Sequence, residues 1–176
     1  MNNIYNILVE TNNIDLIKPY YDTYDPFDIQ MGYFSYLNYL QQNGIVYNHM
    51  QKFIEIRKDY EFKQNVKRFY NERCIISDAD IDECSICHIK PFCECDENEK
   101  YDYNNGIILS DSLHKLFDKY YFTIHPENFN IIVLDNVKNK KLCINEYVNK
   151  KIYINNLSKN YLYYHYNNFI KINKIM

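Results

Sequence analysis

A chain of 176 residues, 47% hydrophobic and 24% charged, has room for one domain with or without an N-terminal appendage, and it is too apolar for wholesale disorder. Its longest apolar runs, such as Ile131 to Leu134, are far too short to span a bilayer, and Met1 to Glu10 has no basic region followed by an apolar stretch. An intracellular, reducing setting is therefore expected, with the six cysteines as thiols or metal ligands rather than disulfides. The net charge of −3 is uneven: residues 136–176 hold eight Lys against Glu146, giving +7, and residues 1–135 carry 12 bases and 22 acids, giving −10. A basic tail on an acidic body favours a polyanion partner over a small cation.

Asn, Ile, Tyr and Lys make up 86 of the 176 residues. This skew reflects A/T-rich codons and weakens propensity arguments, so spacing carries the reading. Residues 1–26 read as polar and tyrosine-rich, broken at Pro19 and Pro26. From Asp28, Ile29, Tyr33, Tyr36, Leu37 and Leu40 fall on one helical face, with a stop at Asn43-Gly44. Val46, Met50, Phe53 and Arg57 make a second helical stripe, and Phe62, Val66, Phe69 and Tyr70 a third.

At Arg73 the texture changes. Cys74 to Ser77 reads as a short strand, Asp78 to Glu83 as an acidic loop, and Cys84 to Ile89 as a strand stopped at Pro91. Phe92 to Asn104 is a long polar loop, of a length that is often functional in compact domains. Asn105-Gly106 predicts a turn into a strand over Gly106 to Leu109. Ser110 or Asp111 then caps a helix to Lys119, with Leu113, Leu116 and Phe117 as its buried side. Tyr120 to Ile124 and Phe129 to Leu134 read as strands about Pro126, and Ser158 to Ile170 as a last helix.

Three residues stand out within this strand, loop, strand, helix order. His88 ends a strand, Asn105 sits at the next turn, and His114 lies on the helix. His114 and Asp118 are four apart, so both project to one side of that helix, off its apolar stripe. An imidazole and a carboxylate so placed can begin a divalent metal site, with Mg, Mn, Zn or Ni all compatible with the donor set.

These blocks resemble the HNH endonuclease family. Arg73-Cys74-Ile75-Ile76, Cys87-His88-Ile89-Lys90-Pro91-Phe92, Asn104-Asn105-Gly106-Ile107-Ile108-Leu109, His114-Lys115-Leu116-Phe117-Asp118 and the tail block Tyr161 to Phe169 follow its "C-A-I-T-G … A-H-I-x-P … N-G-L-L-L … H-x-L-F-D" variant in order. The resemblance covers roughly residues 60–176, and the first 55 or so match no family. It implies a metal-dependent DNA endonuclease. His88 is then the catalytic general base, Asn105 the residue orienting that histidine or its loop, and His114 a metal ligand. Asp118 as a second ligand follows from helical spacing rather than from the family. Mg or Mn is the expected ion. The sequence departs from many family members in having Cys87 where an Asp ligand precedes the first His, so Asp102 or a more distant acid must be considered for the ligand set.

The blander readings stand beside these. His88 could be a structural histidine, His114 a surface residue, Asn105-Gly106 a plain turn, and Asp118 a helix-end hydrogen-bonding group. Cys84 and Cys87, with Cys93 and Cys95, could hold structural zinc, but on a strand Cys84 and Cys87 point to opposite faces. Cys84 to His88 also mimics a haem-attachment motif, and Asp78 to Asp82 the start of an EF-hand loop that lacks the required Gly and Glu. Lys138, Lys140, Lys141, Lys150 and Lys151, with Lys159, could contact DNA phosphates or simply be solvated.

The expected architecture is α+β, a ββα-metal core with a C-terminal strand and helix extension (residues 59–176) behind a mostly helical region of unknown role (1–58). The alternative function is a catalytically inactive HNH-like protein that binds nucleic acid or a partner.

Overall fold

A computed structural model describes residues 3–44, 49–138, 140, 142–155 and 158–175, which form two units, residues 1–60 and 61–176. Lys141 and Val46 lie outside the described residues. The secondary structure is α+β, with helices and two small antiparallel sheets. None of the helices is long and apolar enough to cross a membrane, among the described residues.

The first unit is helical. Asp25 accepts a hydrogen bond from the Phe27 N–H (2.8 Å), and Pro26 fills the first helical position, so the chain enters α2 (Pro26–Gln42) cleanly. The helix ends at Asn43, and Gly44 follows with φ +67, a left-handed conformation that glycine adopts without strain. Ile29, Tyr33, Tyr36 and Leu40 are buried as their spacing predicts. They pack with Ile4 and Leu8 of α1 (Asn3–Thr11) and with Ile14, Ile17 and Tyr21 of a following 3-10 turn. The segment read as merely polar and broken is thus largely helical. Pro19 is absorbed because it sits in a 3-10 turn that ends three residues later.

The second and third helical stripes are one helix, α3 (His49–Phe69), with no break between them. Phe53 and Ile56 are buried in the first unit's core, where Phe53 stacks on Tyr33 at 4.0 Å. Arg57 is exposed, so the apolar stripe runs through Ile56 instead.

The second unit is built on a hairpin. β1 (Cys84–His88) pairs antiparallel with β2 (Gly106–Ser110), in a register that sets His88 opposite Gly106 and Cys84 opposite Ser110. β2 is followed at once by α4 (Asp111–Asp118), which packs on both strands through Leu113 and Phe117. β3 (Phe122–Ile124) pairs with β4 (Ile131–Val133). A short helix, α5 (Asp135–Lys138), follows, and the long helix α6 (Lys159–Ile172) packs on β3. Leu162 and Phe169 of α6 join Ile107, Ile108, Leu109, Phe117 and Phe122 in one core.

Two local expectations are corrected. Cys74 to Ser77 is a turn rather than a strand, with only Arg73 paired to Asp80 beside it. The Cys74 sulfur explains it: Sγ accepts the N–H groups of Ser77 (3.3 Å) and Ser110 (3.4 Å), bonds that a straight strand would not bring to one atom. Asn105-Gly106 is not a two-residue hairpin turn. Asn105 ends a 3-10 turn, and Gly106 is extended at φ −106. Glycine is needed at 106 for space instead. A Cβ there would lie 2.3 Å from Val66 Cγ2 and 3.0 Å from Phe62 Cζ, so its absence lets α3 approach β2 closely.

Candidate active site

β1 ends at His88, and α4 presents His114 and Asp118 one turn apart. The three side chains line one cleft of about 450 Å³, together with Ile86, Pro91, Phe92, Glu94, Tyr120 and His165. The extended segment and the short helix therefore bring both imidazoles to a common space.

His88 is held on three sides. Its ring stacks on Phe62 of α3 (4.5 Å, 11° between planes) and meets Phe92 edge-on at 5.5 Å. Nε2 lies 2.9 Å from the Lys100 carbonyl oxygen. A carbonyl only accepts, so Nε2 carries the proton, and in the neutral ring the lone pair is on Nδ1. Phe62 is 26 positions earlier in the chain, and nothing local to His88 points to it.

Asn105 is fully buried and does not line this cleft. Its Oδ1 accepts the Lys90 N–H (2.8 Å), while Nδ2 donates to the carbonyls of Lys90 (3.2 Å) and Glu99 (3.4 Å) and to Cys95 Sγ (3.2 Å). Its backbone carbonyl accepts the Ile89 N–H at 2.8 Å. One amide thus ties both ends of the 90–99 loop to the base of β2. The loop has further ties of its own. Lys90 pairs with Glu99, which lowers the Glu99 carboxyl's pKa, and Asp96 accepts the N–H groups of Glu99 and Asn98, which lowers its own. Lys100, whose carbonyl holds His88, comes directly after this pinned stretch.

His114 and Asp118 face one another, with Nε2 3.2 Å from Oδ2. This is the ion-pair distance that one helical turn sets between positions i and i+4. Among the described residues, no group of three or more His, Cys, Asp or Glu side chains is arranged to hold a metal ion. Asp102 is turned away from this cleft: its Oδ2 accepts from the Tyr161 hydroxyl (2.8 Å) and its Oδ1 caps Asn104. Besides Asp118, the acid that lines the cleft is Glu94, in a 3-10 turn inside the long polar loop. Cys87 is buried, its thiol pushed up by burial and donating to the Ser85 carbonyl, so it does not replace a carboxylate ligand. Cys84 is likewise raised by burial, to about 11.

His165 is a wall residue that spacing alone left without a role. Its ring stacks face to face on Phe117 (3.7 Å, 2°) and on Tyr120 (4.6 Å). Nε2 donates to the Phe117 carbonyl (3.3 Å), and Nδ1 accepts from the Thr123 hydroxyl (2.8 Å). Burial pushes its pKa down to about 3, from an ordinary value of 6.5. The folded protein thus keeps His165 neutral, while the unfolded chain takes up a proton below pH 6.5. Stability from this group is complete above pH 6.5 and falls as pH drops toward 3, by about 1.4 kcal/mol per pH unit. Carboxylates with ordinary values of 4.5 and below act later in the acid range. Urea unfolding between pH 6.5 and 4.5 should show this slope in the wild type and a flatter one in His165→Gln. Equal slopes would remove His165 from the account.

The tail lysines differ among themselves. Lys138 pairs with Asp135 (2.7 Å) and Lys159 with Glu127 (3.0 Å). Lys140 lies over the Tyr121 ring and Lys150 over Tyr147, while Lys151 is exposed.

No curated protein matches the chain. Residues 74–125, which contain the whole hairpin, its loop and α4, match the family model described as HNH endonuclease, and this supports the HNH family for that part of the chain.

Proposed function

We propose that the protein is a metal-dependent endonuclease that hydrolyses DNA phosphodiester bonds, with the hairpin and α4 as a ββα-metal core. The observation that carries the reading is the single cleft lined by His88, His114 and Asp118. His88 takes the proton of the attacking water at Nδ1, its ring angle set by Phe62 and the Lys100 carbonyl. His114 and Asp118, 3.2 Å apart, are the protein ligands of a divalent ion. When bound, the ion stabilises negative charge on the phosphate and the leaving 3′ oxygen. Asn105 is a positioning residue that holds the loop beside His88. Glu94 is a further carboxylate lining the cleft that can hold water or metal. Mg or Mn suits a site with one nitrogen and one or two oxygens, and Zn or Ni is the next choice.

A second reading has its own observation. Cys87 fills the position where a carboxylate ligand often precedes the base, and it lines the cleft with an almost wholly buried thiol. A two-ligand site could belong to a protein that binds DNA without cutting it. Incubation of supercoiled plasmid with the protein decides between them. Nicking in Mg or Mn that stops on EDTA addition and returns with fresh metal is expected. Binding without strand breaks in any divalent ion would favour the non-cutting reading.

A further inference from the structure

Tyr153 is the most exposed large hydrophobic side chain among the described residues, at 75%, and it lies outside the cleft. It belongs to an extended segment in which Ile152 and Ile154 are buried. Alternation along that segment puts Lys151 and Tyr153 together on its outer edge. The Tyr153 ring is not a loose surface group. It lies nearly parallel to Phe69 of α3 (6.2 Å, 10° between planes), and Phe69 also contacts Tyr70 (4.8 Å) and Tyr103 (6.4 Å). The tyrosine ring thus lies alongside Phe69, whose own ring packs with Tyr70 and Tyr103.

We propose that this exposed ring is a stacking platform for an unpaired base of single-stranded DNA. A protein gains little by leaving a fixed aromatic face in water, whereas any of the four bases can stack on it without sequence preference. A cation lies close in the chain: exposed Lys151 is two residues before Tyr153, on the same side of the extended segment. Residues 136–176, the stretch that contains Tyr153, carry a net +7 by sequence, a sign that complements a phosphate backbone. A duplex keeps its bases stacked inside and cannot use the platform, so the ring discriminates for unpaired DNA. Tyr103, at the near end of the cluster, is two residues from Asn105. The aromatic cluster therefore includes a residue of the 3-10 turn that ends at Asn105.

This inference rests on the DNA reading above, and its test is kept separate from cleavage by working in EDTA. Fluorescence anisotropy would follow binding of a labelled thymidine oligonucleotide and of a duplex of equal length. The wild type should prefer the single strand. Tyr153→Ala should weaken single-strand binding roughly tenfold or more and duplex binding less than twofold, while Tyr153→Phe keeps the wild-type affinity. Lys151→Gln should lower the slope of log affinity against log salt by about 0.7 on the single strand. The proposal is overturned if the wild type shows no preference for single strands, or if Tyr153→Ala matches the wild type or weakens both ligands equally. Failure of the wild type to nick plasmid in any metal would instead sink only the hydrolytic reading, since the binding measurements do not depend on it.

Discussion

His88→Ala should reduce plasmid nicking by about 10²- to 10⁴-fold, the range over which a positioned general base contributes. The fold should survive, because the ring's partners, Phe62 and Phe92, remain packed around the site and His88 is only half-buried. DNA binding in EDTA should be unchanged, since the imidazole acts on water rather than on the phosphate backbone. Initial rates of nicking in Mg or Mn, with melting temperatures for both proteins, are the measurements required. A mutant that cuts at the wild-type rate would remove His88 from the mechanism, while the cation site at His114 and Asp118 would stand on its own geometry.

The second large effect concerns stability and activity together. Asn105→Ala deletes an acceptor and a donor that serve four groups and leaves the Lys90 N–H without its side-chain acceptor. An orphaned, poorly solvated group costs about 1–3 kcal/mol, and the lost packing adds to it, so a loss of about 3 kcal/mol in urea unfolding is expected. Nicking should fall as well, even at temperatures where the variant is fully folded, because the loop that leads to the Lys100 carbonyl loses its tie. Asn105→Asp keeps an oxygen for the Lys90 N–H but sets a buried carboxylate oxygen against the Lys90 and Glu99 carbonyls, so it should be at least as destabilised as the alanine variant near neutral pH. Wild-type stability in Asn105→Ala would show that the loop's own ties, Lys90 to Glu99 and the Asp96 cap, suffice without the amide.

Much of the architecture could be read from local pattern. Ile29, Tyr33, Tyr36 and Leu40 repeat at helical spacing and are buried together, and the short runs at Cys84 to His88 and Gly106 to Ser110 pair as strands. The helix with Leu113 and Phe117 inside follows from four residues of periodicity. What escaped the reading depends on partners distant in sequence. Ile4 and Leu8 are spaced for a helix, but two apolar positions in an asparagine-rich stretch do not stand out until Ile17 and Tyr33 cover them. The Cys74 turn depends on the Ser110 amide, 36 residues away. Asn105 read as a turn residue because Asn-Gly is a strong hairpin signal, and its burial reflects a loop whose closure no short motif encodes. Glu94 and His165 reach the cleft from a loop and from the last helix. Only His165 carried a cue, in its placement within a helix that must bury one face.

The bare backbone at Gly106 does more than admit a helix. Phe62, which would lie 3.0 Å from a Cβ there, is the same ring that stacks on His88, so the space left by the missing methyl group is shared with the imidazole's support on the opposite strand. A single methyl at 106 would meet Val66 first, at 2.3 Å, and Phe62 next, so the displacement would pass through α3 to the ring stacked on His88. The packing behind His88 is thus partly set at a position with no side chain, where surveys of reactive groups would not look.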